Sequence, residues 1–417
     1  MSNIIRYVLS DIPGFQDIIN NDSNDNSNIL KLNKVECRTS NNIPYKVVRY
    51  DKNFLSYDLI SSYGLCRSVI INNNNKVVGF APPKSICCQD FLNKYTENTI
   101  GIVAEEFIEG TMINVFWDDS IGLTGGWEIA TRNTVGATSS FYKGPKAKTF
   151  RTMFLEASKE TNLSLENLDK EFCYSFVLQH PENRIVVPFK KPELFLVAAY
   201  RIYNNNNNKN SIYVDNVELE DIKDKFKSLN FSVQFPKLYT FQKYADLIEQ
   251  YASMNTSYDI VGVILRNKIT GERTKIRNPV YEQVRNLRGN QPKLQYQYLC
   301  LRKEGRVSDF LKYYPENKKN FSEFRDHIHL FTETLFTNYI SCYIKKEKPL
   351  SEFTSQYKTH MYNIHQRYLN DLRLQNLFVN STVVIKYVNE LHPSLLMYSL
   401  NYQMRKRNID TIVSNSE

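Results

Sequence analysis

From Ile43 to about Arg277 the chain is a succession of short apolar or alternating runs. They read PYKVVRY, RSVII, KVVGFA, GIVAEEF, MINVFW, WEIATR, FCYSFVLQ, NRIVVPF, LFLVAAYRI and DIVGVILRN. Runs of this length, separated by turn residues, predict twisted antiparallel strands. Three windows break the pattern: TFRTMFLEASKET, ELEDIKDKFKSL and TFQKYADLIEQYA. Each repeats apolar residues at intervals of three and four, and each predicts a helix. The mixture is an α+β pattern, without the alternating units that build a parallel sheet. Beyond about Gly289 glycine almost disappears, and FSEFRDHIHLFTETLFTNYISCYI and TSQYKTHMYNIHQRYLNDLRLQNLF keep helical spacing throughout. A separate all-helical domain is expected there. The organisation that follows is a lead-in over 1–40 with an Asn-rich loop, a sheet-rich domain over 41–290, a helical domain over 291–410 and a tail over 411–417.

Asn runs at 20–28, 72–75 and 204–208 fall where loops are expected. Two of them join strand-like runs, SVIINNNNKVVGFA and ELFLVAAYRIYNNNNNKNSIYV, and both read as hairpins. Runs of this kind fit loop expansion in AT-rich coding sequence, as in large DNA viruses of protists or in AT-rich protists, and carry no chemistry of their own.

Composition narrows the function classes. Of 417 residues, 42% are apolar and 23% charged, which excludes disorder as the dominant state. No apolar run is long enough for a membrane span, and MSNIIRYVLSDIPGF lacks the pattern of a secretory signal. A cytoplasmic protein with no membrane partner is expected. The net charge of +9 permits nucleic acid or nucleotide phosphate as partner without demanding either. The seven cysteines (37, 66, 87, 88, 173, 300 and 342) are scattered and include no CxxC pair, so reduced thiols and no zinc site are expected. His327/His329 and His360/His365 lie at helical spacings that do not share a face, which argues against a metal centre. The basic end MRKRN (404–408) reads as a solvated tail.

Four segments, in order, carry a resemblance. They are YKVVRYDKNFLSYDL…GLCRSVIINNNNKVVGFAPPKSI; AEEFIEGTMINVFWD followed by WEIATRN; FCYSFVLQHPENRIVVPF followed by LFLVAAYRI; and DIVGVILRN…ERTKIRNPVYEQV. The succession resembles the nucleotidyltransferase domain of the phage-type RNA ligases, the tRNA-repair class of ATP-dependent ligases. It spans roughly residues 40–285, and P-x-N-R-I-V after an apolar strand is its most specific string. The resemblance implies a nucleotidyltransferase domain of antiparallel sheets around a central groove, with the helical domain following it. It also implies a chemistry in which a lysine amine attacks the α-phosphate of ATP. Two glutamates then serve nucleotide, metal and lysine, and basic residues hold the phosphates.

Laid onto this chain, that pattern is half present. The turn stands as Phe107-Ile108-Glu109-Gly110, with Phe107 at the nucleophile's position. Ser175 and Val261 stand where the family has acidic residues. The cations remain: Lys275 and Arg277 in the last motif, with Arg67 and Lys84 upstream. Phenylalanine has no nucleophilic atom, so no lysyl-AMP can form at position 107. A pocket that loses carboxylates and keeps Arg and Lys becomes more positive, and can hold phosphate without magnesium. Asn278-Pro279 after the last motif supplies helix-start chemistry, an Asn N-cap and a Pro at N1. The exposed amides of that first turn, beside two cations, favour an anion.

The expected function is therefore a catalytically silent RNA ligase-like protein. It would bind a nucleotide or the phosphorylated or capped 5′ end of RNA in the former ATP pocket, in RNA processing, repair or translation control. The candidate contacts are Arg67, Lys84, Phe107, Glu109, Arg132, Lys275 and Arg277, with no catalytic or metal-binding residue and no cofactor. A protein partner is expected on the helical domain. Two alternatives stay open. One is an active ligase using ATP and Mg with a nucleophile moved to Lys94 or Lys275, and the other is a structural scaffold whose groove is filled by side chains. Glu105 and Glu106 read as a solvated or salt-bridged strand end, and Trp127 as core.

Overall fold

The computed structural model of the protein describes residues 4–20, 31–142, 147–205 and 211–406. All but the first residue of the Asn run 20–28, positions 206–208 of the last Asn run, the end of the 404–408 basic stretch and the 411–417 tail lie outside these. The chain forms two compact units, Met1–Arg285 and Asn286–Glu417.

The first unit is built on three sheets in which every ladder between strands is antiparallel. The largest runs in the order β1 (Arg6–Val8), β11 (Ser211–Val217), β10 (Glu193–Asn205), β9 (Phe172–Gln179), β7 (Thr111–Asp118), β8 (Gly126–Thr131). A second runs β12 (Leu238–Tyr239), β6 (Ile102–Glu106), β13 (Gly262–Asn267), β14 (Arg273–Arg277). The third is a meander, β2 (Leu32–Arg38), β3 (Pro44–Tyr50), β4 (Val69–Ile71), β5 (Val77–Phe80). Helices cover the sheets where the 3–4 spacing demands it: Phe150–Glu160, Leu219–Ser228 and Tyr244–Tyr251. The expected α+β architecture of antiparallel sheets with a helical C-terminal region is the one observed. Because β1 pairs with β11 and β2 with β3, residues ahead of position 41 are woven into this unit.

The cores follow from the alternation. Ile113, Val115, Tyr174, Phe176 and Leu178 point to one face of the large sheet and pack on Met153, Phe154, Ile222 and Phe226 of the covering helices. Ala104, Val263 and Leu265 pack on Phe91, Tyr95, Tyr244 and Leu247. Phe91 belongs to a helix over Cys88–Lys94 that is too short and too polar to show in the sequence pattern. The hairpin at the 72–75 Asn run forms as expected: Asn72 N–H donates to Lys76 O at 2.9 Å, and Asn75 adopts the left-handed region at φ 55°. The run is also structural, since Asn72 Nδ2 donates to Asp118 Oδ1 at 2.8 Å.

One predicted strand is absent. NRIVVPF (183–189) runs as an irregular loop. The amides of Val186 and Val187 donate to the carboxylate of Glu109 at 3.0 and 3.1 Å, so they are withdrawn from any sheet ladder. The apolar run is real, but a side chain takes the hydrogen bonds that a neighbouring strand would have taken.

The second unit is helical: Leu294–Lys303, Val307–Tyr313, Lys318–Tyr339, Ser355–Asn370, Ser381–Glu390 and Pro393–Leu400. Phe310, Phe321, Ile328, Phe331, Leu335, Met361, Ile364, Val384 and Val388 are buried in it. His360 is buried between the Tyr387 and Ser399 hydroxyls at 2.9 and 2.8 Å, and His365 stacks on Tyr343. Among the described residues no three His, Cys, Asp or Glu side chains group as a metal site, all seven cysteines are free, and no helix is long and apolar enough to cross a membrane.

Gly262 sits at φ 134° where a Cβ would stand 2.1 Å from Ile276 O, a backbone atom of the partner strand. Gly122 has a similarly positive φ, of 61°, but open space around it. Gly262→Ala should therefore cost about 1–3 kcal/mol more than Gly122→Ala in denaturant unfolding. Equal midpoints would contradict the close approach of β13 and β14.

Candidate nucleotide and phosphate pocket

A cavity of about 640 Å³ opens in the first unit, with walls from the six-stranded sheet and the β12-β6-β13-β14 sheet. The chain segment leaving β6 enters it at Phe107 and turns at Gly110, φ 150°, where a Cβ would meet Leu178 O at 2.5 Å. Only glycine permits the β6–β7 turn to lie this close to β9. A register shift between Leu196 and Ala198 on β10 makes Val197 a bulge residue, and Val197 lines the cavity, the re-aiming that bulges provide. Val177, Met112, Ile264, Phe150 and Pro236 complete an apolar wall.

The other wall is cationic. Arg67, Arg132, Arg273 and Lys275 all line the cavity. On β14 the period of two puts Arg273 and Lys275 on one face, and the register sets Lys275 opposite Ile264 of β13. Lys275 Nζ lies 4.8 Å from the centroid of the Phe107 ring, and the Arg277 guanidinium lies 5.7 Å from it. The ring thus occupies the place the resemblance assigns to an amine, and presents its negative face to two cations.

Two carboxylates reach the cavity, and both have partners. Glu105 accepts from Arg266 at 2.6 and 3.0 Å, and Glu106 accepts the Lys237 amide at 3.3 Å. Of the solvated or salt-bridged strand end expected here, Glu105 forms a salt bridge and Glu106 forms none among the described residues. Glu105 is thus neutralised by an ion pair and Glu106 is not, yet basic groups outnumber it, and dehydration and mutual repulsion act together. Burial, then Arg273, Arg67, Arg277 and Lys84, push the Lys275 amine down to about 6. Burial, then Arg273 and Arg132, lower Arg67 to about 10. Arg273 Nη2 donates to Pro83 O at 2.7 Å and Arg67 Nη1 to Pro82 O at 3.4 Å, so backbone carbonyls orient both. The buried Nε atoms of Arg132 and Arg273 have no acceptor among the described residues.

Of the seven candidate contacts, the structure brings Arg67, Phe107, Arg132 and Lys275 together at the cavity. Lys84 is exposed and outside the lining, yet partial burial, then Arg67, Arg132 and Arg277, lower its pKa. Arg277 is exposed at the end of β14 and pairs with Glu282 at 3.3 Å. Glu109 faces away from the cavity. It is buried, and its carboxylate binds the Val186 and Val187 amides and the Tyr281 hydroxyl, while burial pushes its pKa up. Its work is to clamp the 183–187 loop to the turn. Asn183 Nδ2 to Thr111 Oγ1 fastens the loop again, and Gln179 Nε2 to Glu109 O ties the turn to the end of β9, both at 2.9 Å.

Ser175 and Val261 lie outside the lining. Ser175 Oγ donates to Asn114 Oδ1 at 2.8 Å inside the sheet, and Val261 is buried with its carbonyl accepting the Asn278 amide at 2.9 Å. Asn278 caps the helix Pro279–Arg288 as expected, its Oδ1 accepting from Val280 N at 2.9 Å. Lys94 binds Glu272 at 2.8 Å, away from the cavity. Trp127 packs on the core beside Trp117.

Arg273 is the residue that sequence reasoning missed. The signal was present in RTKIR, since alternation on a strand gives residues 273, 275 and 277 a common face.

No family model matches the chain. Its sequence is 22% identical over 290 residues to an RNA ligase of Rhodothermus phage RM378, a match covering 63% of this chain. The chain spans 64% of that relative's length. Among solved structures, a mutant of Naegleria gruberi RNA ligase with ATP and Mn is 11% identical at a TM-score of 0.33, over 48% of this chain and 55% of that one. A second mutant, with AMP and Mn, gives 11% and 0.35 over 49% and 57%. The chain is thus similar in sequence to RNA ligase-type nucleotidyltransferases, the family its motifs resemble.

An amine pushed from its ordinary range near 10 to about 6 destabilises the fold wherever the unfolded chain binds the extra proton. That cost is full below about pH 6, shrinks as pH rises and is gone above the ordinary lysine value. Lys275→Met should therefore raise Tm by a few degrees at pH 6, with the gain fading by about pH 9. A gain equal at both pH values would refute the dehydrated amine.

Proposed function

We propose that this chain is an RNA ligase-like protein that binds without transferring. The bound group is a nucleotide or the phosphorylated or capped 5′ end of an RNA, held in the pocket that the resemblance assigns to ATP. The observation that carries this reading is Phe107 at the nucleophile's position beside Arg67, Arg132, Arg273 and Lys275, basic groups that outnumber Glu106, the carboxylate of the lining without an ion pair among the described residues. A phosphate group supplies the missing counter-charge, and its oxygens supply acceptors for the unpaired Nε atoms of Arg132 and Arg273. The apolar wall of Phe107, Ile264, Val177 and Val197 suits a base or a sugar edge. With charge neutralised by arginine and lysine, the pocket needs no divalent cation to accept phosphate.

A second reading rests on one observation. Lys275, at about 6, is a neutral amine at pH 7 inside the pocket, which is the condition for an amine nucleophile. An active ligase would then carry AMP on Lys275, with ATP and Mg as cofactors, whereas Lys94 is held by Glu272 outside the cavity. The scaffold reading predicts no binding at all.

Incubation with α-labelled ATP or GTP, with Mg or Mn, separates the three. The expected result is no label on a denaturing gel, together with reversible binding of nucleotide or 5′-phosphorylated RNA. Covalent label mapping to Lys275 would overturn the silent reading in favour of the second, and absence of both label and binding would leave the scaffold.

Binding in EDTA should match binding in Mg. The double change Lys275→Met, Arg273→Gln should weaken it by about tenfold or more, since each removes a charge-assisted contact. Binding abolished by EDTA would contradict the metal-free pocket.

A further inference from the structure

One arginine outside the pocket lining continues the cationic wall. Tyr45 and Val47 of β3 share a face and pack on Phe116, Ala130 and Val135, and the period of two puts Arg49 next in that row. Arg49 Nη1 donates to Asn133 Oδ1 at 2.5 Å, and Asn133 belongs to the tight 131–134 turn at the cavity rim, closed by Thr131 N–H to Thr134 O at 2.9 Å. Arg132 is its neighbour on that turn, with its guanidinium 5.5 Å from the Tyr50 ring. The Nε atoms of Arg49 and Arg132 are both buried and without an acceptor, and neither arginine has a carboxylate partner among the ion pairs of the described residues. The charges form a connected series. Beside burial, Arg67 lowers Lys275, and Arg132 lowers both Arg67 and Arg49. Such a series runs from the floor of the cavity to the rim and onto the small sheet.

A mononucleotide fills the cavity and its lining cations, and leaves Arg49 without a function. A polynucleotide has further phosphates that must leave the cavity, and unpaired guanidinium groups along a groove are what track a phosphodiester backbone. We infer that Arg49, set beside Arg132 at the cavity rim, holds a backbone phosphate of an RNA strand whose 5′-terminal nucleotide occupies the pocket. The inference rests on the binding reading above and narrows its ligand: the pocket is built for the end of a chain, and a free nucleotide uses only part of it.

The test compares AMP and a 5′-phosphorylated single-stranded oligoribonucleotide of about ten nucleotides, on the full chain, in wild type, Arg49→Gln and Arg49→Lys. Wild type should bind the oligonucleotide more tightly than AMP. Arg49→Gln should weaken the oligonucleotide about tenfold, with AMP unchanged, as loss of one charge-assisted contact predicts. The slope of log K against log salt for the oligonucleotide should flatten by about 0.7, the share of one phosphate on a single strand. Arg49→Lys should recover that slope, and all three proteins should melt alike. Equal weakening of both ligands, no change in either, or wild-type preference for AMP would overturn the backbone contact while leaving the pocket reading intact. Wild type binding neither ligand would sink both.

Discussion

Like charge held with too little counter-charge is the constraint on which this molecule turns. Arg67, Arg132, Arg273 and Lys275 converge on one cavity, while Glu106 is the carboxylate of the lining without an ion pair among the described residues and the other acidic groups nearby are directed elsewhere: Glu105 to Arg266, Glu272 to Lys94, Glu282 to Arg277 and Arg285. Each of those pairs leaves the cavity field positive. Apolar walls keep the local dielectric low, so each cation acts more strongly on the next than it would in water. The depression of Lys275 and Arg67 records burial first and that repulsion second, and an anion entering the cavity relieves the repulsion.

Holding such an arrangement requires a rigid frame, and the frame is mostly backbone. Gly110 lets the β6–β7 turn lie against β9, and Gly262 lets β13 lie against β14, in both cases at distances no side chain allows. Glu109 then joins the turn to the 183–187 loop and to Tyr281 of the following helix. The two strings that carry the family resemblance, the E-G turn and P-x-N-R-I-V, are thus one mechanical assembly. Their retention alongside Phe107 is understandable on physical grounds. They shape the cavity whether or not an amine stands in it.

Much of this was legible in the sequence by itself. Period-two and period-3.6 patterning determined the antiparallel strands, the covering helices and the helical C-terminal region, because burial on one face leaves a periodic trace. The absence of a nucleophilic atom at Phe107 and the survival of Lys275 and Arg67 needed no coordinates either. Tertiary structure alone decided which charges meet. Arg273 and Arg132 join the cavity wall through strand pairing and a bulged sheet, whereas Arg277 and Lys84 stay exposed outside its lining. It also turned Glu109 from a phosphate-facing candidate into a clamp, and made NRIVVPF a loop, since a single buried carboxylate can claim two amides from distant sequence. Local pattern reports the face a residue shows. The partner on that face is set by pairings between residues up to scores of positions apart, which no local pattern encodes.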